Sequence, residues 1–404
     1  MQLIQRHYLS DLIDILETPD IKIITGVRRR GKSTLLAQLA EHIVKNIPKS
    51  NLIHVNYNLL QFQNLRTGQA LYDYVQQKYL PGCRNYVLID EIQECVDFER
   101  TVIDWHTTGQ YRVVITGSNA FLQQNDLATL FVGRTFDLEV FPFSLSEFHL
   151  YFPDLPLQKA FRLYCERGGF AGTYEYRSPQ QAHSYVANIF NTLIVRDIVN
   201  KHKIKQPELL NKMIDFLADN IGNLTTANKI ATKFDSQQLS LDRKTVSAYL
   251  DFLCRSFAFY RVRRFDLKGR DFLASQDKYY LVDTSMRQPR VGERFPDFGQ
   301  IYENMVAIEL LRRGFEIYVG FLGSWEVDFV ALKNGRRAFI QVTASLESDD
   351  TRERELRSLL AIPDGSPKII IARTFQSPVV WQGVHVVDLA QFLAQPQFLD
   401  KLFS

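Results

Sequence analysis

The stretch Gly26-Val27-Arg28-Arg29-Arg30-Gly31-Lys32-Ser33-Thr34 decides how this chain is read. A glycine, four residues, then glycine-lysine-serine is the pattern of a loop that cradles phosphates with its backbone N–H groups. Its surroundings fit the pattern. Ile21-Lys22-Ile23-Ile24 reads as a buried strand, and residues 33–43 read as a helix with Leu35, Leu36, Leu39 and Ile43 on one stripe. Gly26 and Gly31 let the backbone curl until successive N–H groups point inward, and the helix N-terminus adds partial positive charge. Lys32 is expected to reach the β- and γ-phosphates, with the Ser33 hydroxyl on Mg²⁺ and Arg30 and Thr34 completing the loop. The expected ligands are ATP and Mg²⁺.

Outward from the loop, Leu52-Ile53-His54-Val55-Asn56-Tyr57 reads as a second strand. A third, Tyr86-Val87-Leu88-Ile89, ends in Asp90-Glu91. At this distance after a phosphate loop, Asp90 is expected to hold the Mg²⁺ shell and Glu91 to polarise the attacking water. A fourth run, Tyr111 to Asn119, puts Thr116, Ser118 and Asn119 at a strand's C-terminal end, where open α/β sheets bind ligands. Asn119 is the first choice for a contact to the γ-phosphate or the water. Arg134 follows a glycine and precedes a strand. As an arginine finger it would serve a phosphate in the same chain or in a neighbouring subunit.

Residues 25–34, 87–93, 115–119 and 131–148 together resemble the core of a prokaryotic AAA+-like ATPase family. Its members carry G-x-R-R-x-G-K-[ST], L-D-E-I-Q, I-T-G-S, and G-R followed by a strand and L-S-x-x-E-F. The last stands here as Gly133-Arg134 and Phe143-Ser144-Leu145-Ser146-Glu147-Phe148. The family's R-G-G-[FY]-P occurs as Arg167-Gly168-Gly169-Phe170, with Ala171 in place of the proline. The resemblance covers nearly the whole chain, and it implies a C-terminal domain of long-unassigned function.

The chain's 404 residues are many for one core and predict two or three domains. With 46% hydrophobic and 23% charged residues, the balance is globular and argues against extended disorder. No signal peptide or membrane span is read, and Cys83, Cys95, Cys165 and Cys254 stand too far apart for a C-x-x-C site. Buried thiols in a reducing compartment, the cytoplasm, are expected.

The net charge of +3 is unevenly placed: residues 196–290 carry 18 Lys/Arg against 11 Asp/Glu. A polyanion partner is expected there. That region reads as three short helices and a hairpin, with one strand over 257–265 returning through 278–282, a winged helix. Ser240 is a plausible N-cap for the third helix. Arg243 and Lys244 open that helix and would enter a DNA groove, while Arg261, Arg263, Arg264, Lys268 and Arg270 would decorate the wing and meet phosphates. Phosphate contacts do not read sequence, so DNA binding is expected to be non-specific or structure-specific.

Beyond it, a helix with Glu303, a strand with Asp328, a strand over 338–343, a helix over 352–360 and a strand over 368–372 follow the layout of restriction-endonuclease-like enzymes. Gln341 stands where a metal-holding acid belongs and Thr343 where a water-activating lysine belongs. Cleavage is therefore not expected.

The sequence thus predicts an α/β chain: a P-loop AAA+-like core (1–150), a helical lid (151–205), a winged-helix region (206–290) and an inactive endonuclease-like domain (291–404). The activity it implies is an ATP-driven, DNA-associated motor in a hexameric ring, acting on double-stranded or branched DNA. The alternatives are an ATP-gated switch or scaffold for protein partners and, after it, an ATP-regulated nuclease.

Overall fold

The computed structural model describes residues 4–117, 131–239, 241–269, 271–272, 276–292 and 297–402. The chain divides into two compact units. The first holds residues 1–141 with 193–198 and 255–257, and the second holds the remainder.

In the first unit the order is α1 (His7–Ile15), β1 (Ile21–Thr25), α2 (Lys32–Asn46), β2 (Ser50–Asn56), α3 (Gly68–Gln77), β3 (Arg84–Asp90), α4 (Phe98–Thr108), β4 (Tyr111–Thr116) and β5 (Thr135–Glu139). The strands form one parallel sheet in the order β2-β3-β4-β1-β5. Helices cover both faces, so the strands are apolar on both sides, as a parallel sheet requires. Ile53, Val55, Val87, Ile89, Val113 and Ile115 pack with α3 and α4. On the other face Ile24, Leu88 and Val114 meet Leu35, Leu36, Leu39 and Ile43 of α2. Lys22 is buried in β1 because its ammonium caps α1, donating to the carbonyls of Leu16 (3.1 Å) and Thr18 (2.5 Å). Because β4 lies between β1 and β3, its C-terminal end stands between the phosphate loop and the paired acids.

The second unit begins with α5 (Leu145–Tyr151), α6 (Leu157–Arg167) and α7 (Pro179–Thr192). Here the family motifs acquire physical reasons. Ser144 and Glu147 form a reciprocal capping box, Glu147 N–H to Ser144 Oγ at 3.1 Å and Ser144 N–H to Glu147 Oε2 at 2.9 Å. Gly169 accepts from Phe143 N–H at 2.7 Å and lies so close that a Cβ would stand 2.3 Å from the Phe143 oxygen. Residues 171–175 form a short 3₁₀ turn at the place of the missing proline.

Next come α8 (Pro207–Asp219), α9 (Ala227–Asp235), α10 (Arg243–Arg255), β6 (Phe259–Val262), β7 (Arg264–Asp266), β8 (Asp271–Phe272) and β9 (Lys278–Leu281). Thr226 caps α9 and Asp242 caps α10 through the N–H groups of Lys244 and Thr245. Ser240, the expected cap, lies outside the described residues. The remaining α-helices and strands are α11 (Gln288–Val291), α12 (Phe298–Arg312), β10 (Glu316–Leu322), β11 (Trp325–Lys333), β12 (Arg336–Thr343), α13 (Asp349–Leu360), β13 (Lys368–Ala372), β14 (Val379–Trp381), β15 (Val384–Asp388), α14 (Leu389–Ala394) and α15 (Phe398–Leu402).

The hairpin differs from its expectation of one continuous strand over 257–265. It breaks at Arg263: β6 pairs with β9, whereas β7 runs parallel to β10 and, with β8, ends an eight-stranded sheet in the order β14-β15-β13-β12-β11-β10-β7-β8. The physical reason is the open edge of β10, whose unpaired N–H and C=O groups β7 satisfies.

Candidate functional site

The loop after β1 has the geometry its glycines foretell. Gly26 takes φ 127° and a Cβ there would stand 2.4 Å from the Val140 oxygen, so no other residue fits. Gly31, at φ 89°, opens α2, whose first N–H groups carry no side-chain cap and remain available to an anion. Lys32 is buried, with its ammonium 2.8 Å from the Gly26 oxygen and 3.3 Å from that of Val27. Burial lowers its pKa to about 8, Glu91 and Asp90 opposing and Arg30 and Arg28 adding to the fall. Ser33 and Thr34 are exposed on the first turn of α2.

Arg30 points elsewhere. Its guanidinium donates to the carbonyls of Val140 (3.1 Å) and Phe257 (3.4 Å), stands 3.8 Å from Glu139 and is buried. It anchors the loop rather than lining it. Arg6, which no sequence pattern singled out, does the same from the other side, donating at 2.9 Å to the carbonyls of Arg30 and of Phe141.

At the end of β3, Asp90 and Glu91 are set by Thr116 of β4. The Thr116 hydroxyl donates to Asp90 Oδ1 at 2.5 Å and accepts from Glu91 N–H at 3.0 Å. Glu91 sits in the left-handed region at φ 59°, which turns its side chain away from the strand, and its carboxylate accepts from Gln93. Asp90 Oδ2 is buried with no hydrogen-bond partner among the described residues. A buried carboxylate oxygen left this way suits a cation or a cation's bound water. Asp90 and Ser33 therefore fit Mg²⁺, which would supply charge neutralisation for the phosphates. Thr116 is a clamp on the acids, while Ser118 and Asn119 lie outside the described residues.

Arg134 is exposed in the turn before β5. Ile21 N–H donates to its carbonyl at 2.8 Å, and Thr135 pairs with Ile21 while Glu139 pairs with Thr25. Arg134 is thus at the N-terminal edge of the sheet, and the phosphate loop at the C-terminal edge, roughly 16 Å away at the rise of a strand. No single side chain spans that, so the same-chain role fails for Arg134.

Residues 18–149 match the family model described as an AAA domain, and residues 158–292 match one described as a domain of unknown function. An uncharacterized protein of Haemophilus influenzae is 33% identical over 97% of this chain and 98% of its own length. This chain belongs to the same family as that protein. An uncharacterized protein of Methanocaldococcus jannaschii is 23% identical over 92% of this chain and 87% of its own. Among solved structures, a Walker-type ATPase of Pyrococcus abyssi covers 71% of this chain and 95% of itself, at 14% identity and a TM-score of 0.48.

In this chain's second unit the basic residues fall into two groups. Arg243, Lys244, Arg263 and Lys268 are exposed. Arg261, also exposed, pairs with Asp277 at 3.1 Å and Asp251 at 3.8 Å, and Arg264 stacks 3.5 Å over Phe321 and donates to Gln276. Arg270 lies outside the described residues.

The acids of the C-terminal sheet do come together, and with a lysine. Lys278 of β9 places its ammonium 2.7 Å from Glu303 of α12, 2.7 Å from Glu326 and 3.2 Å from Asp328, both on β11. Gln341 accepts from Asp328 N–H at 3.2 Å, and Thr343 makes a weak contact to Ser345. Sequence reading placed a lysine at 343 by pattern and found none. The lysine comes from fifty residues upstream of Asp328, a proximity only the tertiary fold creates.

Cys95 is buried, whereas Cys165 and Cys254 are half-buried, with thiols pushed up to about 12 chiefly by desolvation. Among the described residues no helix is long and apolar enough to cross a membrane.

Proposed function

We propose that this chain is an ATP-hydrolysing, DNA-associated AAA+ protein that works as a ring, remodelling or translocating double-stranded or branched DNA. The observation that carries the ATPase reading is the convergence, at one sheet edge, of the Gly26–Gly31 loop, buried Lys32 and the Thr116-clamped pair Asp90 and Glu91. Lys32 and the α2 N–H groups bind the phosphates, Asp90 and Ser33 hold the cation, and Glu91 orients the water. The ring reading rests on Arg134, whose place on the opposite edge leaves a neighbouring subunit's phosphate as its only catalytic use. The DNA reading rests on Arg243 and Lys244 at the start of a capped helix in what we read as a winged helix, with Arg263 and Lys268 beside it.

A second reading, an ATP-gated switch acting on protein partners, is favoured by one observation: Arg264 is held over Phe321, and Arg261, though exposed, is paired with Asp277 and Asp251. The ATPase rate with and without single-stranded, duplex and branched DNA, paired with mass in solution, separates the two. Stimulation by DNA in a ring-sized assembly supports the motor, and a DNA-blind rate supports the switch. The C-terminal sheet is read as endonuclease-like, kept for binding or assembly.

A further inference from the structure

The acidic cluster of the C-terminal sheet is filled from within. Lys278 is 3% exposed, and an ammonium has three donors. Its three carboxylate neighbours, Glu303, Glu326 and Asp328, stand within 3.2 Å of it and come from two elements other than its own. Two of the inner carboxylates take further donors, Glu303 on the same oxygen that receives the Lys278 ammonium. Glu303 Oε1 accepts from the Tyr280 hydroxyl at 2.6 Å, and Asp328 Oδ2 accepts from Val342 N–H at 2.9 Å. The turn at Gly222, φ 74°, lies over Glu303, where a Cβ would stand 3.1 Å from Oε2. Burial pulls the Lys278 pKa down, but Glu303, Tyr280, Asp328 and Glu326 outweigh it and hold the ammonium well above its usual pKa. Two or three carboxylates around one point are what a divalent cation takes in an endonuclease-like site. Here the point is occupied by the chain's own charge, so the residues do not fit a metal.

We propose that Lys278 is the resident cation of this cradle: its ammonium replaces the divalent ion and ties β9 to α12 and β11, and the cradle binds no metal while Lys278 is in place. The endonuclease-like reading enters only in naming a metal as the rival occupant. A failed ATPase or DNA-stimulation test would sink the proposed function and leave this one standing.

The test uses the full chain without nucleotide, in four forms: wild type, Asp328→Asn, Lys278→Met and Lys278→Met with Asp328→Asn. Mn²⁺ binding is followed by loss of the free-ion paramagnetic signal, and stability by thermal unfolding in chelator and in Mn²⁺. The wild type is expected to show no Mn²⁺ site that depends on Asp328, which a wild-type against Asp328→Asn comparison reads directly. Lys278→Met is expected to melt lower in chelator, to gain one Mn²⁺ site and to recover part of its melting temperature. Asp328→Asn should erase that gain. A wild-type Mn²⁺ site lost in Asp328→Asn overturns the proposal, as does wild-type DNA cleavage lost in the same variant. So does a Lys278→Met protein that melts like wild type in chelator, or one that is folded and gains no Mn²⁺ site. Should Lys278→Met fail to fold, the wild-type and Asp328→Asn pair still decides whether the cradle takes a metal.

Discussion

At the residue scale the sharpest consequence concerns Lys32. Desolvation holds it at about 8 against an ordinary 10.5, and phosphates closing on the ammonium must raise it again. Between those two values nucleotide binding should therefore take up a proton, and affinity should fall as pH climbs through the window. Below it Lys32 is charged in both states and contributes no pH dependence. Calorimetric titration in buffers of different ionisation heat reads the uptake directly, and none in that window would contradict the buried, neutralisable lysine. Lys32→Ala should abolish binding or turnover, whereas Glu91→Gln should bind nucleotide and hydrolyse slowly, because Asp90 is untouched. Glu91→Gln turning over at the normal rate would remove Glu91 from the chemistry. Thr116→Val should cost about 1–3 kcal/mol of stability by stranding Asp90 Oδ1 and Glu91 N–H, and should slow hydrolysis more than it weakens binding. Denaturant unfolding and kinetics of that variant check both halves. Lys32, Asp90 and Glu91 were legible because short motifs fix their chemistry by spacing. Thr116 was named as one of three candidates at that strand end, and only the strand order β3-β4-β1 shows its hydroxyl against two acids. Arg6 and Lys278 left no local trace, because each earns its place through partners far away in sequence.

At the element scale the register of β1 with β5 turns Arg134 into a test of assembly. Arg134→Ala should lower the ATPase rate at least about tenfold, at the cautious end of arginine-finger losses, with little change in nucleotide affinity. Mixing it with Lys32→Ala subunits should restore turnover wherever an intact loop meets an intact Arg134. Assembled mixtures with no recovery would argue against a shared site. The broken hairpin likewise redistributes the expected DNA contacts. Replacing Arg243, Lys244 and Lys268 with alanine should weaken binding to unrelated DNA sequences, each lost phosphate contact removing up to about one unit of the log–log salt slope. Arg264→Ala should leave that slope nearly unchanged, because its guanidinium lies over Phe321. The reverse pattern in salt-dependent binding curves would put the hairpin, not α10, on the DNA. Helices α8, α9, α10 and α12 were readable from apolar periodicity, though the cap of α10 is Asp242 and not the expected Ser240. The split of the hairpin was not, since a four-residue run carries no mark of which edge it will join.

At the scale of the whole molecule, the phosphate loop announced a nucleotide-binding sheet, and the uneven charge pointed to the middle of the chain. The winged-helix layout of residues 206–290 and the endonuclease-like layout of 291–404 suggested two separate bodies, yet no sequence pattern reports that β7 and β8 complete a sheet whose other strands begin at Glu316. That shared sheet bears on inheritance. A recombination event that exchanged the last hundred residues between relatives would carry β10 away from the strand that covers it, leaving a sticky border on one product and an orphaned ribbon on the other. Parts joined in this way lose the freedom to be traded singly, so this stretch of the lineage is expected to travel, diverge and be lost as one heritable block.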